Sequence, residues 1–529
     1  MALFTAFCFV IGCLCLRLYV LATPKKELVS SKSHYYSVNL ASFRGEILYA
    51  DGSKITETQY DNYVIAKPVF SSLYALKEIL DKKAYDDARH KIENGTPFTA
   101  NIGRSSLKSS KDYICVPIYK RYSSSFPAQH IIGYLDSDGH GAIGIEKEYD
   151  DFLYSDKKIT ARIPVDAYGR AIIGTNIELS EVAEQKSKIK LTIDKDIQAI
   201  TEQALDNGNI NEGCAVVIEI NSGKIKAMAS RPIYDPYRIS DFLDSSASPF
   251  SNRCLQSFAV GSVFKVAVAA AAIEKGIDNF KCECKGRCDI GGVSFGCSGN
   301  TAHGDVDMQK ALSVSCNTYF IQLGQKLGSE TLQSVSQTLG FGQKIEIAKK
   351  ICADSGAVPS SEDLGNPAGL ANFSFGQGRF TASPLHLAQL FCAVGGGGKY
   401  YSPYLIESVT DAEGNVWEHS NAYPIYAISE SGADRLLNLL TEVVNHGTAS
   451  PAKPYRFSAA GKTATAQTGI FDSNGTELCN SWFAGCFPSD EPKYAVVIIK
   501  QNGSSGSEDC APVFKEIADR IIFPNNTKN

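Results

Sequence analysis

Phe258-Ala-Val-Gly-Ser-Val-Phe-Lys265, followed without a break by Val266-Ala-Val-Ala-Ala-Ala-Ala-Ile273, decides how the rest of the chain is read. A small-residue turn ends at Gly261, Ser262 comes next, and Lys265 sits three positions later on an apolar run with no breaker before Gly276. Residues three apart on a helix share a face, so the spacing predicts that the Lys265 amine reaches the Ser262 hydroxyl. A helix start also leaves free N–H groups and a partial positive charge beside that hydroxyl, which suits a site that holds an oxyanion. A serine becomes a nucleophile through an adjacent base, and a lysine desolvated among apolar neighbours can be neutral enough to serve. The same residues also fit a plain helix start, with Ser262 as N-cap and Lys265 in solvent. Ser105-Ser-Leu-Lys108 repeats the spacing in a polar stretch with no helical run behind it.

Two later segments add weight. Ser313-Val-Ser315-Cys316-Asn317 supplies a Ser-x-Asn, although Ser37-Val-Asn39 and Ser298-Gly-Asn300 match it too. Ala460-Gly-Lys462-Thr463-Ala464-Thr465-Ala466 supplies a lysine and two hydroxyls on a strand. Alone, that strand reads as an edge strand with an exposed lysine.

At 529 residues the chain suits two or three domains. Charged residues at 21% and apolar residues at 44% are ordinary for a globular protein, and a net charge of −5 with no basic stripe leaves no footprint for nucleic acid. The N-terminus differs. From Met1 to Ala22 the only charge is Arg17. Roughly 20 apolar residues span a bilayer, so residues 1–22 are expected to form a transmembrane anchor, with Arg17 near one end. A cleaved signal peptide fits less well, since no basic region precedes the apolar run and Val20-Leu-Ala22 is a poor cleavage site. Lys25 and Lys26 follow the segment and nothing basic precedes it, the reverse of the usual asymmetry for an N-in anchor. The expectation is still an anchor with the bulk outside.

Of the 16 cysteines, Cys282, Cys284, Cys288 and Cys297 form the one dense cluster, with His303 close by. Their C-x-C-x3-C-x8-C spacing lacks the paired C-x2-C knuckles of a typical zinc site. A disulfide-stapled loop is favoured in an oxidising compartment, and free thiols and zinc both stay open.

Residues 27–180 read as short strands and turns with intervening helices. The clearest are a strand into the Asp51-Gly52 turn, helical spacing over Tyr60 to His90, and a strand into Asp166-Ala-Tyr-Gly169. The glycines of Gly133 to Gly144 fit turns rather than a phosphate loop. After a charged connector, Leu191 to Asp194 leads into a helix over 197–205, and 214–220 with 224–229 make a hairpin. Helical patterns fill Val263 to Leu339 and Pro384 to Val394. Strands return at 457–465, 479–487 and 494–500 before a closing helix over 513–521. Strands flanking a helical middle imply an α/β domain whose sheet is built from both ends of the segment.

In order and spacing together, Ser262-x-x-Lys265, Ser315-x-Asn317 and Lys462-Thr463-Ala464 resemble the active site of the penicillin-recognising serine enzymes. Asn252-Arg253, His303-Gly304, Ser374-Phe-Gly-Gln-Gly378, Ser383-Pro384-Leu385, Gly447-Thr448, Trp482-Phe483-Ala-Gly485 and Ala511-Pro512-Val513 resemble that family as well. Arg44-Gly45, Gly133 to Glu146 and Asp166 to Gly169 resemble the pedestal of class B penicillin-binding proteins. The resemblance implies a C-terminal serine β-lactamase/transpeptidase-like domain, 190–525, in which helices cover both faces of an antiparallel sheet. It implies an elongated α+β pedestal, 27–180, and the single anchor helix, 1–22.

What the resemblance further implies is a D-Ala-D-Ala transpeptidase that cross-links peptidoglycan stem peptides and is inhibited by β-lactams. Ser262 would be the nucleophile and Lys265 its base, while Ser315 would pass a proton to the leaving amine with Lys462 beside it. Asn317 would hold the Lys265 amine and the substrate amide. Lys462, Thr463 and Thr465 would receive the terminal carboxylate, and the backbone N–H groups of Ser262 and Thr465 would form the oxyanion hole. No cofactor or metal is called for. The expected setting is the cell membrane, catalytic domain outside, beside a polytopic membrane glycosyltransferase partner.

Two departures from the family pattern bear on activity. Ala464 stands where the family has Gly, and Val260 replaces the usual Pro. A catalytically impaired wall-assembly scaffold is therefore the alternative. A serine β-lactamase would need a water-activating group, and Glu362-Asp-Leu-Gly-Asn366 has the wrong spacing for one. A β-lactam-sensing receptor would need more membrane spans.

Overall fold

The structure, a computed structural model, describes residues 11–19, 34–180, 187–418 and 423–524. The expected anchor falls largely outside these. Within it residues 11–19 are helical, and no helix of the described residues is long and apolar enough to cross a membrane.

Two compact units emerge. The smaller contains the described parts of 1–43, 59–120 and 156–184. Its three-stranded antiparallel sheet places Gln59–Ala66 between Phe98–Asn101 and Tyr113–Lys120. Helices Phe70–Leu76 and Lys82–Glu93 bury Leu73, Leu76 and Ile92 beside Val64 and Phe98 of that sheet. The helical spacing expected from Tyr60 onward is thus corrected for its first part. Gln59–Ala66 is a strand because Tyr60, Val64 and Ile65 pair with Tyr119, Cys115 and Ile114, a register that outweighs the local period. Ser105 to Lys108 lies in this unit, outside any helix.

The larger unit holds 44–58, 121–155 and the described residues beyond 185. Arg44–Thr58 and Arg121–Ser155, which the sequence reading groups with 27–180, therefore pack elsewhere. Strand Glu46–Leu48 runs parallel to Lys188–Leu191, and Ile47 joins a core containing Ile189, Leu191 and Ile193. A buried charge cluster seals the arrangement. Glu146 is fully buried and accepts from Arg44 Nε at 2.6 Å and Arg121 Nε at 2.7 Å. A buried carboxylate persists only when paired in this way.

At the centre is a five-stranded antiparallel sheet in the order Ile225–Arg231, Gly213–Glu219, Tyr494–Lys500, Glu477–Phe487, Ala460–Phe471. As expected, it draws strands from both ends of the segment. Cys214 to Ile218 and Ala495 to Ile499 are buried at every position, so both faces are covered. Helices Lys195–Asn207 and Ala511–Ile522 pack on one another and the sheet, as do Pro384–Gly395 and Glu430–His446. The last of these went unread in the sequence, although Ala433, Leu436, Leu440, Val443 and Val444 mark its buried stripe. Helix Lys265–Glu274 is buried from Lys265 through Ala272, which is why its sequence is apolar all round. Fully burying each of Val266 and Val268 there contributes about 1.5–3 kcal/mol.

The expected helical run from Val263 to Leu339 is broken. Short strands Cys282–Cys284, Arg287–Ile290, Val293–Gly296 and Gly304–Val306 form two small antiparallel pairs inside it. Gly286, Gly291, Gly292 and Gly304, all with positive φ, supply the turns.

Candidate active site

Ser262 sits in a one-turn 3-10 helix, Gly261–Phe264, that leads directly into Lys265–Glu274. Gly261 has φ +66° and donates its N–H to Gly376 O at 2.8 Å. Gly376 is needed in turn, because a Cβ there would lie 2.0 Å from Gly261 O. Phe264 anchors the turn from below, its ring 4.4 Å from Phe380 and 4.7 Å from Phe373 between centroids. A Cβ on Gly261 would stand 3.1 Å from Ala466 Cβ, so the turn lies directly against strand Ala460–Phe471.

Ser262 opens into a cleft also lined by Ser315, Asn317, Thr463, Ala464 and Thr465. The three sequence segments thus converge in one place. Lys265 and Lys462 do not line it; both are completely buried beneath it. Lys265 Nζ donates to Asn317 Oδ1 at 2.6 Å, to Ser315 O at 2.8 Å and to Ser315 Oγ at 3.3 Å. Lys462 Nζ donates to Ser315 Oγ and to Thr463 O, each at 3.0 Å. Ser315 Oγ therefore bridges two buried amines. Ser315 also has φ +55°, a left-handed backbone that a residue with a Cβ rarely adopts. Asn317 is fixed from its other end, where Nδ2 donates to Gly296 O at 2.9 Å. Thr463 Oγ1 donates to Thr448 Oγ1 at 3.0 Å.

The electrostatics follow from burial. Loss of water pushes Lys265 down to about 7. Lys462 is held well below its ordinary range, first by burial and then by the charge on Lys265. Two ammonium groups sharing one hydroxyl in a dry pocket repel each other, so the pair holds fewer than two protons at neutral pH.

Two expectations change. No hydrogen bond joins Lys265 Nζ to Ser262 Oγ; the amine is taken up by the three acceptors from Ser315 and Asn317. Lys462 is not an exposed lysine on an edge strand. Its strand is the sheet's edge, but the side chain is enclosed. The concern over Ala464 eases: it pairs with Trp482 in unbroken register and lies outside the left-handed region, so its methyl costs no backbone strain. Glu362 lies exposed on helix Ser361–Gly365 and is not among the cleft-lining residues.

Residues 505–507, unremarked in the sequence, also line the cleft. Asp509 orders this loop by accepting from Ser504 N at 2.7 Å, Ser481 Oγ at 2.7 Å and Lys500 Nζ at 2.9 Å. Gly506 passes so close over the sheet that a Cβ would lie 2.1 Å from Trp482 O and 2.6 Å from Ala464 O. The run Ser504-Ser-Gly-Ser507 between a strand and a helix is the only sequence signal for it.

A family described as the penicillin binding protein transpeptidase domain matches residues 213–519, more than half of the chain. The chain is 28% identical over 519 residues to stage V sporulation protein D of Bacillus subtilis, covering 92% of this chain and 78% of that protein. It is 26% identical over 439 residues to the peptidoglycan D,D-transpeptidase MrdA of Acinetobacter baumannii, covering 73% of this chain and 64% of that protein. Among solved structures, penicillin binding protein 3 of Mycobacterium tuberculosis complexed with aztreonam superposes with a TM-score of 0.66 at 21% identity, over 93% of this chain and 98% of that one. With a serine-lined cleft, two buried lysines beneath it and a family match running through both ends of the sheet, the chain belongs to the penicillin-binding protein transpeptidases.

Proposed function

We propose that this chain is a peptidoglycan D,D-transpeptidase that cross-links stem peptides through an acyl-enzyme on Ser262. The observation that carries the reading is the Ser315 hydroxyl shared by Lys265 and Lys462 at the floor of the cleft into which Ser262 opens. The names of relatives support it, since MrdA and PbpA are named peptidoglycan D,D-transpeptidases.

Ser262 Oγ attacks the carbonyl carbon of the penultimate D-Ala, and its proton passes to the neutral Lys265 amine. Lys265 Nζ is hydrogen-bonded to Ser315 and Asn317 rather than to Ser262, and catalytic contacts of this kind commonly tighten only with substrate in place. Backbone N–H groups of Ser262 and Thr465 receive the developing oxyanion, at about 2.7–4 kcal/mol per donor. The bond to the terminal D-Ala nitrogen then breaks, and Ser315 relays a proton to that amine from the lysine pair. Thr463, Thr465 and the Ala464 strand hold the terminal carboxylate, with Lys462 buried beneath them. An amine from a neighbouring stem peptide displaces Ser262 and restores the enzyme. A β-lactam would form the same ester and stall.

The wider setting is part of the proposal. The 27–180 region serves as a platform and 190–525 as the transpeptidase domain, at the cell membrane with the cleft outside, beside a polytopic membrane glycosyltransferase.

Incubating the full chain with fluorescent penicillin tests the reading. A stable label that Ser262→Ala abolishes, with D-Ala released from a D-Ala-D-Ala peptide only when Ser262 is present, is expected. Rapid turnover of the label would point to a β-lactamase, and no label at all to a scaffold.

A further inference from the structure

We propose that Cys284, Cys297, His303 and Cys316 bind one zinc ion, which ties the turn carrying Ser315 and Asn317 to the small strands between residues 282 and 306. The sequence cluster of Cys282, Cys284, Cys288 and Cys297 is not the group that forms. Folding selects two of those cysteines and adds His303 and Cys316, and the four ligand atoms lie within 4.8 Å of one another.

The spacing has the dimensions of a tetrahedral site. Sulfurs bound at about 2.3 Å to a tetrahedral zinc stand about 3.8 Å apart. Cys284 Sγ is 3.8 Å from Cys297 Sγ, and Cys297 Sγ is 3.8 Å from Cys316 Sγ. A thiolate and an imidazole nitrogen on the same ion stand about 3.5 Å apart. Cys284 Sγ is 3.3 Å from His303 Nδ1. A disulfide needs sulfurs about 2 Å apart, and joining one pair would strand the third thiol and the imidazole. Every described cysteine is free.

The surroundings are built for the same group. Gly286 donates its N–H to Cys284 Sγ at 3.4 Å, and the Thr318 hydroxyl lies 3.3 Å from Cys316 Sγ. Such outer partners orient and tune metal-bound thiolates. Gly286, at φ +86°, cannot be replaced without contact, since a Cβ would fall 2.2 Å from Asn300 O. Cys284, Cys297 and Cys316 are buried, whereas His303 is half-exposed, which leaves a way in for the ion. Three thiolates and one imidazole in tetrahedral array select zinc and leave no open position, so the site is structural. Binding breaks three S–H bonds, forms three Zn–S bonds and one Zn–N bond, and releases three protons to solvent. The assembled group carries one net negative charge.

Its place in the fold gives the site its purpose. Cys316 lies between Ser315 and Asn317, the residues that hold the Lys265 amine. Ser315 is in a left-handed backbone that must be held from outside. Asn317 is anchored to Gly296, the neighbour of Cys297. A metal joining Cys297 to Cys316 fixes both ends of that turn, so Cys316 is a positioning residue for the cleft.

The test uses the full 529-residue chain, purified reduced, with zinc as the probe. Elemental analysis is expected to find about one zinc per chain. Cobalt replacing it should show the intense visible bands and near-ultraviolet sulfur-to-cobalt absorption of a tetrahedral thiolate site. Cys284→Ser and His303→Ala should each weaken zinc binding by at least about 10–100-fold, the loss that even an outer-shell change produces. His303→Ala removes a half-exposed ring and keeps the test open if Cys284→Ser fails to fold. Chelation should lower the melting temperature and slow acylation by fluorescent penicillin, and added zinc should restore both. Absence of stoichiometric zinc and of the cobalt spectrum, or a Cys284–Cys297 disulfide in the native protein, would overturn the site. Zinc whose removal leaves acylation unchanged would overturn its link to Ser315. Metal content and the cobalt spectrum do not depend on transpeptidation, so this proposal and the proposed activity can fail separately.

Discussion

Replacing Asn317 by Asp tests the idea that a lysine amine is the base, because it places a carboxylate where the Asn317 amide oxygen now lies, 2.6 Å from Lys265 Nζ. An ordinary lysine, titrating near 10.4, is neutral in about 0.04% of molecules at pH 7. Burial brings Lys265 down to about 7, where half the molecules carry a free amine. That is a gain of about 1000-fold in active base, equivalent to about 4 kcal/mol. Protonation removes the base, so acylation of the wild type should rise with pH through about 7 and then level off. An opposite charge within hydrogen-bond reach raises an amine by about 1–3 pH units. For Asn317→Asp the midpoint should move up by that amount, cutting acylation at pH 7 by about 5–500-fold and recovering much of it near pH 9–10. Stopped-flow acylation by fluorescent penicillin from pH 5.5 to about 10 reads this directly. A variant equally slow at every pH, or one with an unmoved midpoint, would refute the role given to Lys265.

Three further outcomes follow from the same structure. Glu146→Gln should destabilise the larger unit by about 1.5–3 kcal/mol in denaturant melts, because Arg44 and Arg121 lose their shared carboxylate and keep only Asp150 and Glu57; a loss under about 1 kcal/mol would show that cluster to be dispensable. Gly376→Ala, at φ +82° and with a Cβ 2.0 Å from Gly261 O, should cost more than about 2 kcal/mol and slow acylation by displacing the Ser262 turn; normal acylation would mean that the turn does not depend on that contact. His130 is held down to about 4 by burial, while an unfolded histidine titrates near 6.5. The unfolded chain binds the extra proton between those values, so stability is full above about 6.5 and falls by about 3 kcal/mol as pH drops toward 4; His130→Gln should flatten the melting temperature across that window.

Much was legible in the chain because it is local. A serine and a lysine three apart ahead of an alanine-rich run announce a helix with both residues near its start, whatever surrounds them. The hairpin Gly213–Glu219 with Ile225–Arg231 follows from its turn residues, and helix Lys195–Asn207 follows from Asp194, whose side chain caps Asp196 and Ile197. Alternation and capping act over a few residues, so one sequence suffices to read them.

What only the tertiary structure decided are the meetings of distant groups. Lys265 lies 50 positions from Ser315, and Lys462 lies 147 from it. Sequence spacing carries no record of which hydroxyl the two amines share, or that both are cut off from water and thereby hold their protons less tightly. The cysteines make the same point. Grouped by nearness along the chain they are Cys282, Cys284, Cys288 and Cys297, yet the strand turns at Gly286 and Gly304 bring Cys284 to His303 and Cys297 to Cys316. Burial and ligand geometry are properties of packed surfaces, and packing is settled by the whole chain at once.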